Sequence, residues 1–482
     1  MPETPTGSAS RAKSPAGPAA ARVSAPPAGR GWLLAALLGA TVLGTISNNI
    51  VNVPLRQIIA DFQAPVTQGV LVASASVLVL AVAMPLTGWI SDRLGRRRTL
   101  VIALSVLLVG TAGAALAPTL SLLVVSRGLQ GLGCAAVPTA VMGTLARSFA
   151  PEHRNKVMGV WGAANGIGQA IGPPVGGLMA DAFGWRAIFG SLIPITVGVL
   201  ILTLRVVPRD AGHDTRIDWV GAGTLTIGVA LLMTAATAAP QPGVPVWLPV
   251  LVGVLGLVSL AGFVVSGVRR AAPFIDPRLL IEIRWLRSAT GVFVQQCSLA
   301  AVLVAVPLYL TGVVGLSVSF TGLLVFCLPL VWAVAAPLVG LLADRVGPRP
   351  VLRSGLGMLA LVDVGLAVLL GTGVTRLAPV IVLLVAAGTA VALVQTPALT
   401  GATRSPAGQL GTGLGLFNMM RFVGAAIGTA GVAAAWPDGL LWLFAGCAAV
   451  AVGGLILSFS GREMPDDEAP VAGAVRTTVR AD

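Results

Sequence analysis

Three charged residues lie within long apolar stretches of this 482-residue chain, where a charge is unfavourable unless it has a function or a partner. Asp363 is the only one of the eighteen acidic residues that lies deep in such a stretch. Buried carboxylates are typical proton carriers in membrane proteins. Arg127 and Arg421 are the corresponding basic residues. We predict that Asp363 is a candidate for proton coupling and that the two arginines have a functional role, with a purely structural role as the alternative for each.

The residue types that most enzymes and metal sites require are scarce. The two histidines, His153 and His213, lie in separate loops without a recognisable nucleophile. The four cysteines lie in apolar runs and lack CxxC spacing, which argues against a disulfide framework or a zinc site. Neither of the two lysines follows a glycine-rich loop, so a Walker-type ATP site is excluded. We predict that the chain is not an enzyme and needs no cofactor.

A basic loop that occurs twice marks one membrane face. The loop contains Gly88, Asp92, Arg93, Gly95, Arg96 and Arg97, and its second copy contains Gly340, Asp344 and Arg345. Short loops rich in arginine remain in the cytoplasm, so the pattern fixes the orientation of the neighbouring helices. Asp92 can accept hydrogen bonds from nearby arginines and from the N-terminal end of a neighbouring helix. The repeat indicates two related halves.

The composition predicts an integral membrane protein. Hydrophobic residues make up 56% of the chain and charged residues 10%, and the mean hydropathy is +0.91. The net charge of +13 is spread over many short loops, which argues against nucleic acid as a partner. Runs of about 20 apolar residues, the length that crosses a bilayer, define fourteen predicted spans: 32–59, 67–90, 99–117, 119–146, 157–180, 187–204, 219–239, 246–267, 288–311, 319–342, 350–371, 377–400, 409–433 and 437–459.

The loops between these spans alternate in charge. Loops 147–156, 205–218, 268–287 and 343–353 are basic, whereas 61–66, 240–245, 312–318 and 434–436 contain no lysine or arginine. Fourteen is an even number, so both termini are predicted in the cytoplasm, with the protein in the cell membrane. The basic loop ends the second span and recurs at the tenth, so two extra spans are inserted between two sets of six.

We therefore predict an all-α membrane protein of two six-helix bundles and an inserted helix pair. The predicted limits are a disordered cytoplasmic tail at 1–30, the N-terminal bundle at 31–205, the inserted seventh and eighth spans with their basic loops at 206–287, the C-terminal bundle at 288–460 and a second cytoplasmic tail at 461–482.

The fifth span is rich in glycine. It contains Gly159, Gly168, Gly172, Pro173, Gly176 and Gly177. The glycines at 168, 172 and 176 recur every four residues, share a helix face and allow another helix to approach closely. The proline frees a backbone carbonyl and permits a bend. We predict that this face forms a sliding seam between the two halves.

These patterns resemble the signatures of the major facilitator superfamily. The loop after Gly88 is similar to its cytoplasmic signature, the fifth span to its antiporter signature, and Arg127 with Gln130 to a third signature whose arginine is linked to proton coupling. Asp218-Trp219 and the thirteenth span around Arg421 resemble the fourteen-helix drug:proton antiporter branch, and the resemblance makes Arg127 and Arg421 further candidates for proton coupling. The resemblance covers residues 32–460.

The resemblance implies alternating access and a latch between Asp92 and the start of the thirteenth helix near Gly411. It also reveals one departure. Members of the branch carry an acidic residue in the first span, and that position is Ser47 here. A serine cannot carry the proton, so this site is not transferred to the chain.

Uncharged polar residues of several spans are candidates to line a substrate cavity. They are Asn49, Asn52, Gln130, Asn165, Gln169, Gln295, Gln296 and Gln395. Neutral hydrogen-bonding groups among aliphatic walls favour amphipathic or apolar compounds over sugars or anions. Each amide could equally bond to a neighbouring helix.

The predicted function is export of drug-like or toxic organic compounds across the plasma membrane in exchange for protons. The partners are then a small-molecule substrate, protons and the lipid bilayer, and the proton motive force takes the place of a cofactor. One alternative is an exporter or facilitator of a specific endogenous metabolite with weak or no proton coupling, which Ser47 favours. A remote alternative is a non-transporting receptor or scaffold on the same fold.

Overall fold

The computed structural model describes residues 30–51, 55–64, 66–212, 218–238, 244–270, 273–373, 376–436 and 438–461. Across these residues the chain forms sixteen α-helices, short 3₁₀ turns and no β-strand. Two of the helices are short, Leu55–Asp61 and Pro277–Leu280, and fourteen are long. The predicted tails lie outside the described residues except for Arg30 and Gly461.

The long helices match the fourteen predicted spans one to one. They are α1 (Arg30–Asn49), α2 (Val66–Leu94), α3 (Arg96–Ala115), α4 (Leu120–Ser148), α5 (Arg154–Phe183), α6 (Trp185–Val206), α7 (Trp219–Ala238), α8 (Trp247–Arg269), α9 (Ile283–Gly312), α10 (Val318–Val346), α11 (Pro348–Gly371), α12 (Leu377–Arg404), α13 (Gly411–Ala435) and α14 (Leu440–Ser458).

The first predicted span, 32–59, is wrong at its C-terminal end. Helix α1 ends at Asn49, residues 50–51 form a turn, and Leu55–Asp61 is a separate short helix. Asn48 and Asn49 are poor helix formers, so an apolar run that hydropathy reads as continuous is interrupted there.

Among the described residues, thirteen helices are long and apolar enough to cross a membrane. The remaining long helix, α5, is glycine-rich and carries Asn165 and Gln169 within its apolar run. It packs mainly against α10 and α1, so less of its surface faces lipid and its sequence need not be uniformly apolar.

The helices pack as two six-helix bundles with an inserted pair, as predicted. Helices α1–α6 contact one another through pairs such as α3 with α4 and α2 with α4, and helices α9–α14 do so through α9 with α13 and α11 with α14. The residue limits predicted for the domains remain predictions.

The repeated loop has the same backbone geometry in both copies. Gly95 ends α2 with a φ of 83°, and Gly347 ends α10 with a φ of 88°. The N–H of each glycine donates to a carbonyl four residues earlier at 3.1 Å. A left-handed glycine reverses the chain within one residue, so each span is followed at once by the next.

The inserted pair is joined at its base by Asp218. Its carboxylate accepts hydrogen bonds from Gly221 N at 3.1 Å, from Phe274 N at 3.3 Å and from the Arg270 guanidinium. Helix α7 packs on α8 and also contacts α2 and α13, which belong to different bundles. The pair therefore touches both halves of the protein.

Candidate functional site

Asp92 binds the N-terminus of α13 across the boundary between the bundles. Its Oδ1 accepts from Gly411 N at 2.6 Å, and its Oδ2 accepts from Thr412 N at 3.1 Å and Thr412 Oγ1 at 3.2 Å. The first N–H groups of a helix have no partner within the helix, and the dipole favours a negative charge there. A side chain on Gly88 would overlap the Gly411 carbonyl, so this approach requires glycine. The membrane end that carries both repeated loops is called the signature side below.

The second copy makes a related contact on the same side. Asp344 Oδ2 accepts from Lys156 N, in the first turn of α5, at 3.2 Å. The other oxygen has no partner in the described part of the chain. A methyl group on Gly340 would lie 2.7 Å from the Asn155 carbonyl oxygen. Each bundle thus contributes one aspartate and one helix N-terminus, but the Asp344 contact is the weaker.

The arginines of the first loop do not bond to Asp92, contrary to one part of the sequence prediction. Arg96 pairs with Asp210 instead, at 3.6 Å, and the backbone N–H groups of Arg96 and Arg97 donate to the same carboxylate at 2.9 and 3.2 Å. Arg93 is exposed and lies over the Trp89 ring. Asp210 thus caps α3.

Arg345 of the second copy is also exposed, and no hydrogen bond or ion pair of it appears among the described residues. The bundles are therefore joined on the signature side by carboxylates and backbone N–H groups.

Close packing of α5 on α10 extends the boundary toward the membrane centre. A side chain on Gly159 would overlap the Ala336 carbonyl oxygen, one on Gly162 would lie 3.4 Å from Ala336 Cβ, and one on Gly166 would lie 3.1 Å from Ala333 N. We call this contact between α5 and α10 the seam.

The prediction that the glycines at every fourth position form the seam is wrong. Gly168, Gly172 and Gly176 do share a face, but that face packs on α1 of the same bundle. A methyl group on Gly168 would lie 2.7 Å from the Thr45 side chain of α1, and one on Gly172 would lie 3.3 Å from the Asn49 side chain. Their spacing defines a face without defining its partner. Gly177 is half-buried, and Pro173 is not among the residues whose side chains the structure describes.

Arg127 is fully buried in the N-terminal bundle and has only neutral partners. It donates to Ser47 O and Gln130 Oε1, both at 2.7 Å, to Ser76 Oγ at 2.9 Å and to Val72 O at 3.0 Å. It joins α1, α2 and α4. Ser47, where the resembling branch has an acid, therefore lies beside this guanidinium, and its own hydroxyl has no partner.

Asp363 is fully buried between helices of the C-terminal bundle. Ser298 Oγ of α9 donates to its Oδ1 at 2.6 Å, and Oδ2 has no partner in the described residues. The carboxylate therefore lies away from the seam, with one oxygen unsatisfied.

Arg421 lies at the boundary between the bundles. Its guanidinium carbon is 5.4 Å from the Trp161 ring of α5, and Nη1 donates to Asn418 Oδ1 at 3.3 Å. Asn418 in turn donates to Met142 Sδ of α4 at 3.3 Å. Sequence spacing could not reveal the contacts with Trp161 and Met142, because these residues belong to the other bundle.

Among the proposed cavity residues of the N-terminal bundle, several already have partners. Asn49 and Asn165 each donate to a carbonyl one turn earlier in the same helix, at 2.9 and 3.0 Å. Gln130 accepts from the buried arginine and donates to Thr111 Oγ1 at 2.9 Å. Asn52 lies outside the described residues.

The cavity candidates of the C-terminal bundle are less satisfied. Gln295 donates to Gln296 at 2.8 Å, but its own oxygen has no partner. Gln395 is fully buried, and neither its nitrogen nor its oxygen has a partner in the described residues. Gln169 of α5 is half-buried.

Comparisons of the sequence identify a family and related proteins. The family profile described as Major Facilitator Superfamily matches residues 35–429 and 288–481. Multidrug resistance protein Stp of Mycobacterium tuberculosis is 33% identical over 402 residues, covering 81% of this chain and 74% of that protein. The drug efflux pump JefA of the same organism is 31% identical over 405 residues, covering 80% and 77%.

Solved structures share the fold at lower identity. The human organic anion transporter MFSD10 (TETRAN) has a TM-score of 0.65 and 17% identity, with 90% of this chain and 100% of that chain covered. The proton:xylose symporter XylE, bound to a sugar analogue, has a TM-score of 0.63 and 16% identity, with 89% and 94% covered.

Proposed function

The chain belongs to the major facilitator superfamily, and on this premise we propose that it exports drug-like amphipathic compounds across the plasma membrane in exchange for protons. It is a multi-pass membrane transporter and not an enzyme. The family predicted from the sequence is confirmed. Two relatives at least 30% identical are named as a multidrug resistance protein and a drug efflux pump, which supports export of drug-like compounds.

The observation that carries the proposal is the paired closure of the signature side. Asp92 binds the N-terminus of α13, and Asp344 binds the N-terminus of α5, so each bundle contributes to both contacts. Opening this side requires both carboxylates to release backbone N–H groups. Two discrete arrangements of the bundles, one with these bonds and one without them, are what alternating access requires.

The signature side is the cytoplasmic side in this proposal. The basic residues of its loops support that orientation, and both termini then lie in the cytoplasm. Release of the aspartates admits substrate from the cytoplasm, and their return closes the path behind it.

Asp363 is the proposed proton carrier. It is a buried acid with one unsatisfied oxygen and no basic partner in the described residues, an arrangement in which protonation removes a buried charge. Arg127 is proposed to act with it by holding α1, α2 and α4 in one arrangement. The proton gradient supplies the energy, and no cofactor is required.

Proton and substrate act on one equilibrium in this mechanism. Each shifts the populations of the two arrangements only through a difference in its affinity for them. A proton that enters from outside favours return to the arrangement open to the cytoplasm, and substrate that binds from the cytoplasm favours the opposite arrangement.

The test begins with growth inhibition of cells that overexpress the protein, using toxic amphipathic compounds that are anionic, neutral or cationic. The compound with the largest protection is then loaded into proteoliposomes with an imposed pH gradient. We expect gradient-driven efflux by the native protein, its loss in Asp363→Asn, and its retention in Asp181→Asn, which removes an exposed carboxylate at the opposite end of α5.

The second candidate function is a facilitator of an endogenous metabolite without proton coupling. The serine at position 47 favours it, because this removes the acid that the resembling branch carries. Efflux that is indifferent to the imposed gradient, or unchanged by Asp363→Asn, contradicts the antiport proposal and favours this candidate.

A further inference from the structure

Arg421 is a buried guanidinium with incomplete hydrogen bonding. It is 4% exposed and lies about 15 Å along α13 from Gly411 at 1.5 Å per residue, near the middle of the span. Nη1 has a neutral partner, Asn418, and Nε has no acceptor among the described residues. One face of the group lies against the Trp161 ring of the other bundle. Nε and Nη2 therefore lack acceptors in the described part of the chain and can donate to a further ligand.

No carboxylate neutralises Arg421 in the described part of the chain. The three ion pairs found there involve Asp210, Asp61 and Asp218, which are elsewhere. Asp363 bonds to Ser298 within the C-terminal bundle. A buried guanidinium without a counter-charge is strongly unfavourable, so a ligand that brings a negative charge to it gains an unusually large interaction.

Other buried donors of the two bundles lack acceptors among the described residues. They are Trp161 Nε1 of α5, Trp332 Nε1 of α10 and the amide nitrogen of Gln395 of α12. A methyl group on Gly162, the residue after Trp161, would lie 4.0 Å from Trp332 Nε1 and 3.8 Å from Thr396 Oγ1, and Thr396 follows Gln395 in α12. These contacts place Trp332 and Thr396 beside Gly162 of α5, whereas Arg421 contacts the preceding residue, Trp161.

The chemistry of these groups calls for an acceptor. An ionised carboxylate accepts hydrogen bonds at two oxygens and donates none, and it pairs with a guanidinium through two parallel bonds. The indole rings supply flat apolar surface for the rest of the ligand.

We propose that Arg421, with Trp161 beside it, forms an anion subsite in the boundary between the bundles, and that the exported compounds carry a carboxylate on an apolar or aromatic body. The inference rests on the proposed transport function and names its substrate class. The neutral amides alone favour apolar substrates over anions, as expected from the sequence. Arg421 shifts the preference toward anions, because it adds a positive charge that pairs with no acidic residue in the described part of the chain.

The test measures binding to the purified full-length protein in detergent by isothermal titration calorimetry at neutral pH. The probes are 2-naphthylacetic acid, 2-naphthylacetamide and 2-(2-naphthyl)ethylamine, which share one aromatic body and differ in charge. We expect the carboxylate to bind at least about tenfold more tightly than the amide and the amine to bind most weakly. Equal or weaker binding of the carboxylate, including no detectable binding, overturns the proposal.

Substitutions assign the preference to Arg421. In Arg421→Gln the carboxylate and the amide are expected to bind about equally, with binding of the amide changed less than about threefold. Arg421→Lys keeps the charge but loses the planar pair of donors, so the carboxylate is expected to bind about threefold more tightly than the amide. The lysine variant decides the question if Arg421→Gln does not purify as a folded protein. Arg205→Gln, which changes an exposed arginine at the end of α6, is the matched control. A preference that persists unchanged in either Arg421 variant overturns the proposal.

These outcomes are separable from failure of the transport proposal, because binding is measured without a gradient. Loss of proton-driven efflux with an intact carboxylate preference contradicts the transport proposal alone. Gradient-driven efflux of neutral or cationic compounds with no carboxylate preference contradicts the anion subsite alone.

Discussion

Replacing Asp92 with asparagine tests the closure of the signature side. Asparagine has one carbonyl oxygen, so at least the bond from Thr412 N is lost and the bond from Gly411 N loses its charge. We take about 1 kcal/mol for each of these effects and about 0.5 kcal/mol for the charge at the helix N-terminus. The sum, about 2.5 kcal/mol, corresponds to about a 70-fold shift of the ratio of closed to open conformers toward open.

The second copy provides an internal comparison. Asp344 accepts one hydrogen bond, from Lys156 N at 3.2 Å, and its other oxygen is unpartnered. Asparagine keeps one acceptor oxygen for this bond but removes its charge (about 1 kcal/mol) and the charge at the helix N-terminus (about 0.5 kcal/mol). Asp344→Asn should therefore weaken the closed conformer by about 1.5 kcal/mol, or about 13-fold. The predicted order, with Asp92→Asn the more disruptive, follows from the hydrogen bonds alone.

The distance between spin labels on Arg98→Cys and Gln409→Cys reports this equilibrium. Both positions are exposed on the signature side, near the starts of α3 and α13, and the native cysteines are replaced in all samples. Pulsed dipolar spectroscopy should show a longer distance population that grows most in Asp92→Asn. Asp181→Asn, whose carboxylate bonds to Gln57 on the opposite side, should leave the distribution unchanged. An effect of Asp344→Asn equal to or larger than that of Asp92→Asn refutes the reasoning.

Three further predictions concern the seam, the inserted pair and the side of the membrane opposite the signature side. Gly159→Ala should slow efflux about 5- to 150-fold, because the overlap with a carbonyl of α10 costs about 1–3 kcal/mol. The control is Gly190→Ala, whose added methyl group meets nothing within 4 Å. Equal efflux rates of the two variants contradict the close contact of α5 with α10. Asp218→Ala should lower the melting temperature by several degrees, because the three groups that donate to its carboxylate lose a buried acceptor. An unchanged melting temperature shows that these donors find other partners. Hydrogen bonds from Arg186 and then Trp185 hold the pKa of Asp61 below its ordinary value of 3.8. A lowered folded-state pKa stabilises the fold above the unfolded-state value, and this contribution is lost as the pH falls through the folded-state value. Arg186→Gln should therefore lower the thermal stability more at neutral pH than below the folded-state pKa of Asp61, where only the contacts of Arg186 with Ala117 O and the Phe62 and Trp185 rings are lost. An effect that grows with acidity excludes the pairing of Arg186 with Asp61.

The helix count and the basic loop around Asp92 could be predicted because their signals are local, whereas the partner of Asp92, the start of α13, is implied by the family resemblance. Apolar runs and alternating loop charge give the spans, and a carboxylate followed by a glycine and arginines gives the loop. Gly95 and Gly347 then reverse the chain in both copies with nearly the same φ, which agrees with the repeat seen in the sequence.

The identity of contacting helices could not be predicted in the same way. Regular spacing shows that Gly168 and Gly172 share a face, but only the packed structure shows that this face meets α1. The contact of Arg421 with Trp161 joins residues 260 positions apart in different bundles, and no periodicity encodes such a pair. The capping role of Asp210 could not be predicted, because the loop 205–218 contains three aspartates and their spacing does not show which of them meets α3.

The inserted pair contacts α2 and α13, the same two helices that Asp92 joins. In the proposed transport cycle the bundles rotate apart at that point. A rigid α7 cannot then keep both contacts, so one of its two faces must slide or separate in each turnover.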